Sequence, residues 1–194
     1  MIIQSNPELF LRSNDAVLGE IILSQTERWH DLPDGDPIWG LISVVISQQI
    51  STKAALTIRA KVASFYPRML ADSSSQRITE HGLRNLGLSP RKAECCAYIA
   101  ANAQKLREQL RTNEDWEKML LKISGIGPWT VAIFRIFVLR EPDVLPVGDL
   151  GLERAIMMHY PAGTELRSVS EDWKPYRSVA CWYLWRSLGT PPLG

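Results

Sequence analysis

The chain has 194 residues and sets 22 Lys and Arg against 21 Asp and Glu, a formal charge of +1 with its three histidines neutral. Near-neutrality excludes a protein that coats nucleic acid through bulk positive charge, and leaves local patches open. At 45% hydrophobic and 22% charged, the composition is that of a globular domain with a substantial core, not of a disordered or collagen-like chain.

The stretch from Met1 to Gln25 has neither a basic start nor a continuous apolar core, and no apolar run reaches the roughly 18 residues of a membrane span. The expectation is an intracellular protein with no membrane partner. Ile38, Leu41, Ile42, Val45 and Ile46, then Ala55, Ile58, Val62 and Phe65, recur at helical spacing and predict two helices. Between them lies Ser47-Gln48-Gln49-Ile50-Ser51, with Ser51 suited to cap the second helix. Pro37, Pro90, Pro128 and Pro175 precede or open periodic segments, where the missing N–H costs nothing. No alternating or strand–helix–strand rhythm appears, so the predicted class is all-α.

No Gly/Ser linker or low-complexity segment divides the chain; Ser73-Ser74-Ser75 is too short. A single domain over 1–194 is expected, its tail after Gly189 ending the last helix. Cys95, Cys96 and Cys181 form no even framework and no Cys-x-x-Cys pair, so reduced, buried thiols are expected. His30, His81 and His159 are isolated and no HExxH occurs, so no zinc site is expected.

Two stretches carry more information. In the first, from Leu121 to Phe134, Gly125-Ile126-Gly127 leads through Pro128 into an amphipathic helix. The two glycines permit positive φ and close backbone approach, Ile126 would plug the turn into the core, and the following helix start is a potential anion site. A plain helix–turn–helix connection explains the same residues equally well. In the second, Leu145-Pro146-Val147-Gly148-Asp149-Leu150-Gly151 delivers one carboxylate just before a periodic segment. Asp149 is either an ordinary N-cap or a functional carboxylate, and its local pattern leaves both readings open.

Taken together, Gly125-Ile-Gly-Pro-Trp-Thr130 followed by Leu145-Pro-Val-Gly-Asp-Leu-Gly151 resembles the helix–hairpin–helix/Gly-Pro-Asp superfamily of DNA glycosylases, and within it the alkylbase (3-methyladenine, type II) branch. Ile46-Ser-Gln-Gln-Ile-Ser51, Gly87-Leu-Ser-Pro-Arg-Lys-Ala93 and Trp173 to Trp185 match in the same order. The resemblance implies a two-lobed helical fold with a DNA- and base-binding cleft between lobes: 36–118 as a helical bundle, and 1–35 plus 119–194 as a second lobe carrying the hairpin 121–134 and the loop 145–151. With 36 or so residues before the first match, the N-terminal β-sheet subdomain of larger relatives is not expected here.

The resemblance makes Asp149 the catalytic carboxylate, facing the positive charge that builds on the sugar as the base departs. Trp129 stands where lyase relatives carry a Schiff-base lysine, which implies a monofunctional, hydrolytic enzyme; Lys122 lies before that position and reads as a surface lysine. Trp129, Trp185 and Ile133 would line the base pocket, Ile133 where relatives often have tyrosine, with the indoles attracting a cationic alkylpurine. Gln48, Gln49 and Ile50 fall at the DNA wedge that fills the gap left by a flipped nucleotide, Gln49 being the better placed glutamine. Gly125, Ile126, Gly127, Trp129 and Thr130 would hold phosphate through the backbone, and the carbonyls of Leu121, Ile123 and Ile126 a sodium or potassium ion. Arg177 and Ser178 either touch phosphate or brace the neighbourhood of Asp149. No other cofactor is required, and three cysteines cannot supply a four-cysteine iron–sulfur loop. The implied partner is double-stranded DNA containing damaged bases, bound by a monomer with a shallow salt dependence. Two alternatives use the same residues: a helix–hairpin–helix DNA-binding module without chemistry, and a glycosylase for oxidised or mismatched bases.

Overall fold

The computed structural model describes residues 6–31, 35–71, 76–189 and 193. Within them the chain forms α1 (Pro7–Asn14), α2 (Ala16–Ser24), α3 (Pro37–Ser47), α4 (Thr52–Ala71), α5 (Gln76–Asn85), α6 (Pro90–Ala101), α7 (Ala103–Thr112), α8 (Trp116–Leu121), α9 (Pro128–Phe137), α10 (Leu150–His159), α11 (Leu166–Val169) and α12 (Arg177–Ser187), plus a short 3-10 turn at Trp29–Asp31. No strand occurs among the described residues, so the chain is all-α as its periodicity predicts. None of these helices is long and apolar enough to cross a membrane. The expectations for residues 73–75 and for most of the tail after Gly189 lie outside the described residues.

The chain divides into two units, Gly35–Val138 with Leu193–Gly194, and Met1–Asp34 with Leu139–Pro192. The resemblance implies a first lobe that ends at 118 and a hairpin that belongs to the second. In the structure the division falls after 138, because Ile126, Val131 and Phe134 of the hairpin enter the same core as Ile38, Leu41, Ile42, Val45 and Ile46.

The unit spanning 35–138 is built around α3. Pro37 occupies the first turn, Asp36 caps the helix by accepting the Ile38 amide at 3.2 Å, and every residue from Leu41 to Ser47 is buried. A helix apolar all round must be covered all round, and α4, α6, α7 and α9 pack against it. Gly40 permits a close approach to the end of α9: a Cβ there would lie 2.6 Å from a Val138 methyl. Ser51 does cap α4, its hydroxyl accepting the Ala54 amide at 3.3 Å.

The other unit is built around α12, in which Ser178 to Trp185 are all buried against α1, α2 and α10. Trp173, Trp182, Tyr183 and Trp185 are its largest fully buried side chains. Pro175 stands outside this helix, which starts at Arg177, whereas Pro37, Pro90 and Pro128 lie in the first turn of theirs. Buried Asp15 caps α2 through the Leu18 amide at 2.9 Å and also accepts the Tyr160 hydroxyl at 2.7 Å and the Trp173 indole N–H at 2.8 Å.

Replacing Gly40 with alanine drives a methyl into Val138 and is expected to lower the unfolding free energy by about 1–3 kcal/mol, measured as a urea midpoint shift. The double variant Gly40→Ala/Val138→Ala should recover part of the loss; wild-type stability in the single variant would show that this contact does not limit the packing.

Candidate functional site

The loop before α10 folds on itself: the Val147 amide donates to Leu145 O at 3.0 Å and the Asp149 amide to Pro146 O at 3.2 Å. Gly148, at φ +81°, sits in the left-handed region that favours glycine. Asp149 is the N-cap of α10 and is buried. Its Oδ1 accepts two hydrogen bonds, from the Leu152 amide at 2.8 Å and from the Trp185 indole N–H at 2.9 Å. The N-cap and functional-carboxylate readings are therefore compatible, because capping holds the carboxylate at the positive end of the helix in one orientation. Gly151 makes room for this arrangement. A Cβ at 151 would lie 3.0 Å from Asp149 Oδ1 and 3.1 Å from Trp185 Cδ1.

Further upstream the same loop is stapled to the start of α12. Arg177 Nε and Nη2 donate to the two carboxylate oxygens of Asp143 at 2.6 and 2.9 Å, and the Arg177 amide adds a bond at 3.2 Å. The Ser178 amide donates to Pro142 O at 3.0 Å, and the Val144 amide donates to Ser178 Oγ at 2.9 Å. Of the two sequence-based roles for Arg177 and Ser178, the structure shows bracing. Burial alone would raise the Asp143 carboxyl, but the Arg177 hydrogen bonds outweigh it and hold the group below its ordinary 3.8.

In the other unit, the hairpin joins α8 to α9. Gly125 has φ +94°, and a Cβ there would meet Cys95 at 3.2 Å, so both conformation and packing call for glycine. Gly127 departs from expectation: at φ −116° and ψ 179° it is extended backbone that any residue adopts, and a Cβ there would meet nothing within 4 Å. It caps α9 with no side-chain hydrogen bond. Ile126 packs into the core as its sequence position implies. Its amide, however, donates to Ile123 O at 3.0 Å, so Ile126 is corrected from the set of phosphate donors. Thr130 is buried, and Trp129 is half-buried at the start of α9.

Gln48 turns its amide toward this hairpin. Nε2 donates to Gly125 O at 3.0 Å and to Thr130 Oγ1 at 2.8 Å, which removes Gln48 from the wedge and makes it part of the hairpin's support. Gln49 is exposed with φ +53°, and Ile50 beside it is 37% exposed. Ile133 is fully buried and Trp185 is 1% exposed. Ile133 is thus a core residue rather than pocket lining, and Trp185 presents its indole N–H to Asp149 rather than an open ring face. Cys95, Cys96 and Cys181 are free and buried, and burial pushes the Cys95 thiol up to about 12. Sequence reasoning missed Lys92, whose Nζ donates to Ile46 O at 2.9 Å and also to Gln48 O, and the roles of Gly151 and Asp143. Only Gly151 left a signal, as a second glycine inside a helix-start motif.

The model of the HhH-GPD superfamily of base excision DNA repair proteins matches residues 42–174. The Bacillus subtilis protein YfjP is 33% identical over 170 residues, which cover 76% of this chain and 58% of that protein, so the chain spans little more than half the length of this curated relative. Among solved structures, a DNA-3-methyladenine glycosidase from Bacillus halodurans is 31% identical with a TM-score of 0.67, covering 95% of this chain and 90% of that one. The Schizosaccharomyces pombe 3-methyladenine DNA glycosylase Mag1, solved in complex with abasic DNA, is 25% identical with a TM-score of 0.74, covering 96% and 98%.

Trp185→Phe removes both a donor to a buried carboxylate and part of a buried ring, with an expected loss of at least about 1.5–3 kcal/mol in urea unfolding; a loss near zero would mean that the indole bond contributes nothing. For Asp143, the folded pKa lies below the unfolded one, so its stabilisation is present above the ordinary 3.8 and fades as pH falls through the folded value. Asp143→Asn is expected to flatten that acid limb in unfolding measured from about pH 5 to about pH 2. An unchanged acid limb would rule the pair out as a source of pH dependence.

Proposed function

Given that the chain belongs to the HhH-GPD superfamily of base excision DNA repair proteins, we propose that it is a monofunctional DNA glycosylase that hydrolyses alkylated, cationic purines such as 3-methyladenine from double-stranded DNA. The observation that carries this reading is the Asp149 carboxylate, buried, capping α10 and held by the Leu152 amide and the Trp185 indole. A pure DNA-gripping module has no use for such a carboxylate.

In the proposed reaction the bond from C1′ to the base nitrogen breaks and its electron pair stays with the base, neutralising the charge that alkylation had placed there. Positive charge passes to the sugar, and a carboxylate already oriented by two donors stabilises it without reorganising. A water oxygen then bonds to C1′, and its proton leaves to Asp149 or to solvent. The leaving group is activated before it binds, so the reaction has little need of a strong general acid. Tryptophan at 129 cannot form an imine, which supports hydrolysis without strand cleavage. Half-buried Trp129 is the aromatic we assign to the cationic base, a contact worth roughly 0.5–2 kcal/mol.

DNA backbone contact is assigned to the hairpin and to the first turn of α9, and the duplex wedge to Gln49 with Ile50. The residues proposed for a sodium or potassium ion fit that role. Leu121 and its neighbours Lys122 and Ser124 are exposed, and the Ile123 carbonyl, which accepts the Ile126 amide, has a second lone pair to offer. Such an ion would supply positive charge to a phosphate alongside the carbonyls of Leu121, Ile123 and Ile126.

Base release from duplexes carrying 3-methyladenine or 7-methylguanine tests the reading. Asp149→Asn is expected to lose at least about a hundredfold in rate while still binding abasic-site DNA, and borohydride should trap no covalent adduct. Background-level release by the wild type would overturn the assignment of an enzyme, and a trapped adduct would overturn its hydrolytic character.

A further inference from the structure

The short turn between α3 and α4 is held at both of its ends. At its start, Gln48 points its side-chain nitrogen at Gly125 O and Thr130 Oγ1, 3.0 and 2.8 Å away. An amide nitrogen carries two hydrogens, so both are engaged. The Gln48 carbonyl, together with that of Ile46, accepts from the Lys92 ammonium at the C-terminal end of α3, where a cation also complements the helix dipole. At the end of the turn, Ser51 caps α4. Only Gln49 and Ile50 remain exposed between these anchors, and Gln49 holds a left-handed backbone, φ +53°, that a residue with a Cβ adopts at a cost. That conformation persists because its neighbours are fixed.

We propose that Gln48 and Lys92 form a strap that holds the Gln49–Ile50 tip rigidly against the phosphate-gripping hairpin, making Gln48 a positioning residue for base extrusion. This rests on the glycosylase reading above. Extruding a paired nucleotide costs a few kcal/mol, and a tip that yields under that load fills the gap poorly. The strap joins the tip to Gly125 and Thr130, the segment assigned to the DNA backbone, so insertion pushes against the element that grips the strand. Gln48 acts through Gln49 and the hairpin and touches no reacting atom.

The test uses Gln48→Met, which keeps side-chain length without a donor, and Thr130→Val, a milder variant that removes one acceptor. Single-turnover release of one lesion is measured in a fully paired duplex and opposite an abasic-site analogue, where extrusion costs less. The strap predicts that the ratio of the paired-duplex rate to the unpaired-substrate rate falls about tenfold for Gln48→Met and by less for Thr130→Val. It also predicts faster amide hydrogen exchange confined to residues 48–52. Equal slowing on both substrates, or none on either, overturns the inference. Should Gln48→Met fail to fold, Thr130→Val decides by the same comparison. Wild-type protein that releases no base is a failure of the glycosylase reading instead, and the strap is then judged on exchange alone, with unchanged exchange at 48–52 overturning it.

Discussion

Two hydrogen bonds converging on one oxygen, Asp149 Oδ1, set requirements for much of the unit that contains it. The Leu152 amide reaches it only if α10 begins at residue 150, and the Trp185 indole reaches it only if α12 lies alongside with residue 151 lacking a Cβ. The upstream loop must then arrive in register, which the contacts of Asp143, Pro142 and Val144 with Arg177 and Ser178 ensure. One helix therefore organises the loop at two places about two turns apart, residues 177–178 and residue 185. Burial of Trp182, Tyr183 and Trp185 on α12 fixes that helix in turn, each large side chain contributing roughly 1.5–3 kcal/mol.

The other unit follows the same plan with different parts. α3 is buried along nearly its whole length, and what it positions lies just past its C-terminus: Gln48 against the hairpin, then the exposed Gln49 and Ile50. A helix covered on every side has few alternative placements, because rotation or sliding would expose apolar surface or strand buried groups. Polar side chains at its end inherit that rigidity. In both units, then, an apolar helix provides the fixed frame and the candidate site residues sit at a helix terminus, where backbone N–H and C=O groups need partners.

How much of this was legible in the sequence depends on whether a signal is local. The helices around Ile38–Ile46 and Ala55–Phe65, Pro37 in the first turn of the former and the cap at Ser51 of the latter all arise from neighbouring residues, and they stand in the structure as read. The motif at 145–151 pointed to one carboxylate at a helix start, which is where Asp149 lies. What escaped was long-range. That Gln48 rather than Gln49 faces the hairpin depends on residues 77 and 82 positions away, and that Lys92 closes the end of α3 depends on one 44 positions away. Gly125 and Gly127 look alike in the sequence. Only packing against Cys95 and the turn geometry separate the one that needs positive φ from the one that does not. The hairpin's place with residues 35–138 was misjudged for the same reason, since Val131 and Phe134 declare their core only through the partners they meet.

In this nearly neutral chain several bases meet acids or carbonyls of the same unit. Arg107 pairs with Asp36 at 2.9 Å, Arg135 with Glu117 at 3.2 Å, Arg177 with Asp143 at 2.6 Å and Arg186 with Glu27 at 2.7 Å, while Lys92 is engaged by main-chain carbonyls. These five of the 22 basic side chains are thus committed to holding helices and loops in place, each matched by an acid or a carbonyl. On the proposed function, the work of meeting phosphate passes to main-chain groups at the hairpin and the entrance of α9. Backbone donors position a duplex without adding to net charge. Side-chain cations drive affinity through counterion release, which grows with every phosphate neutralised whatever its sequence or damage. An enzyme that must leave undamaged DNA quickly is better served by few such contacts and a rigid set of backbone donors, and a chain of charge +1 with several of its arginines paired internally suits that requirement.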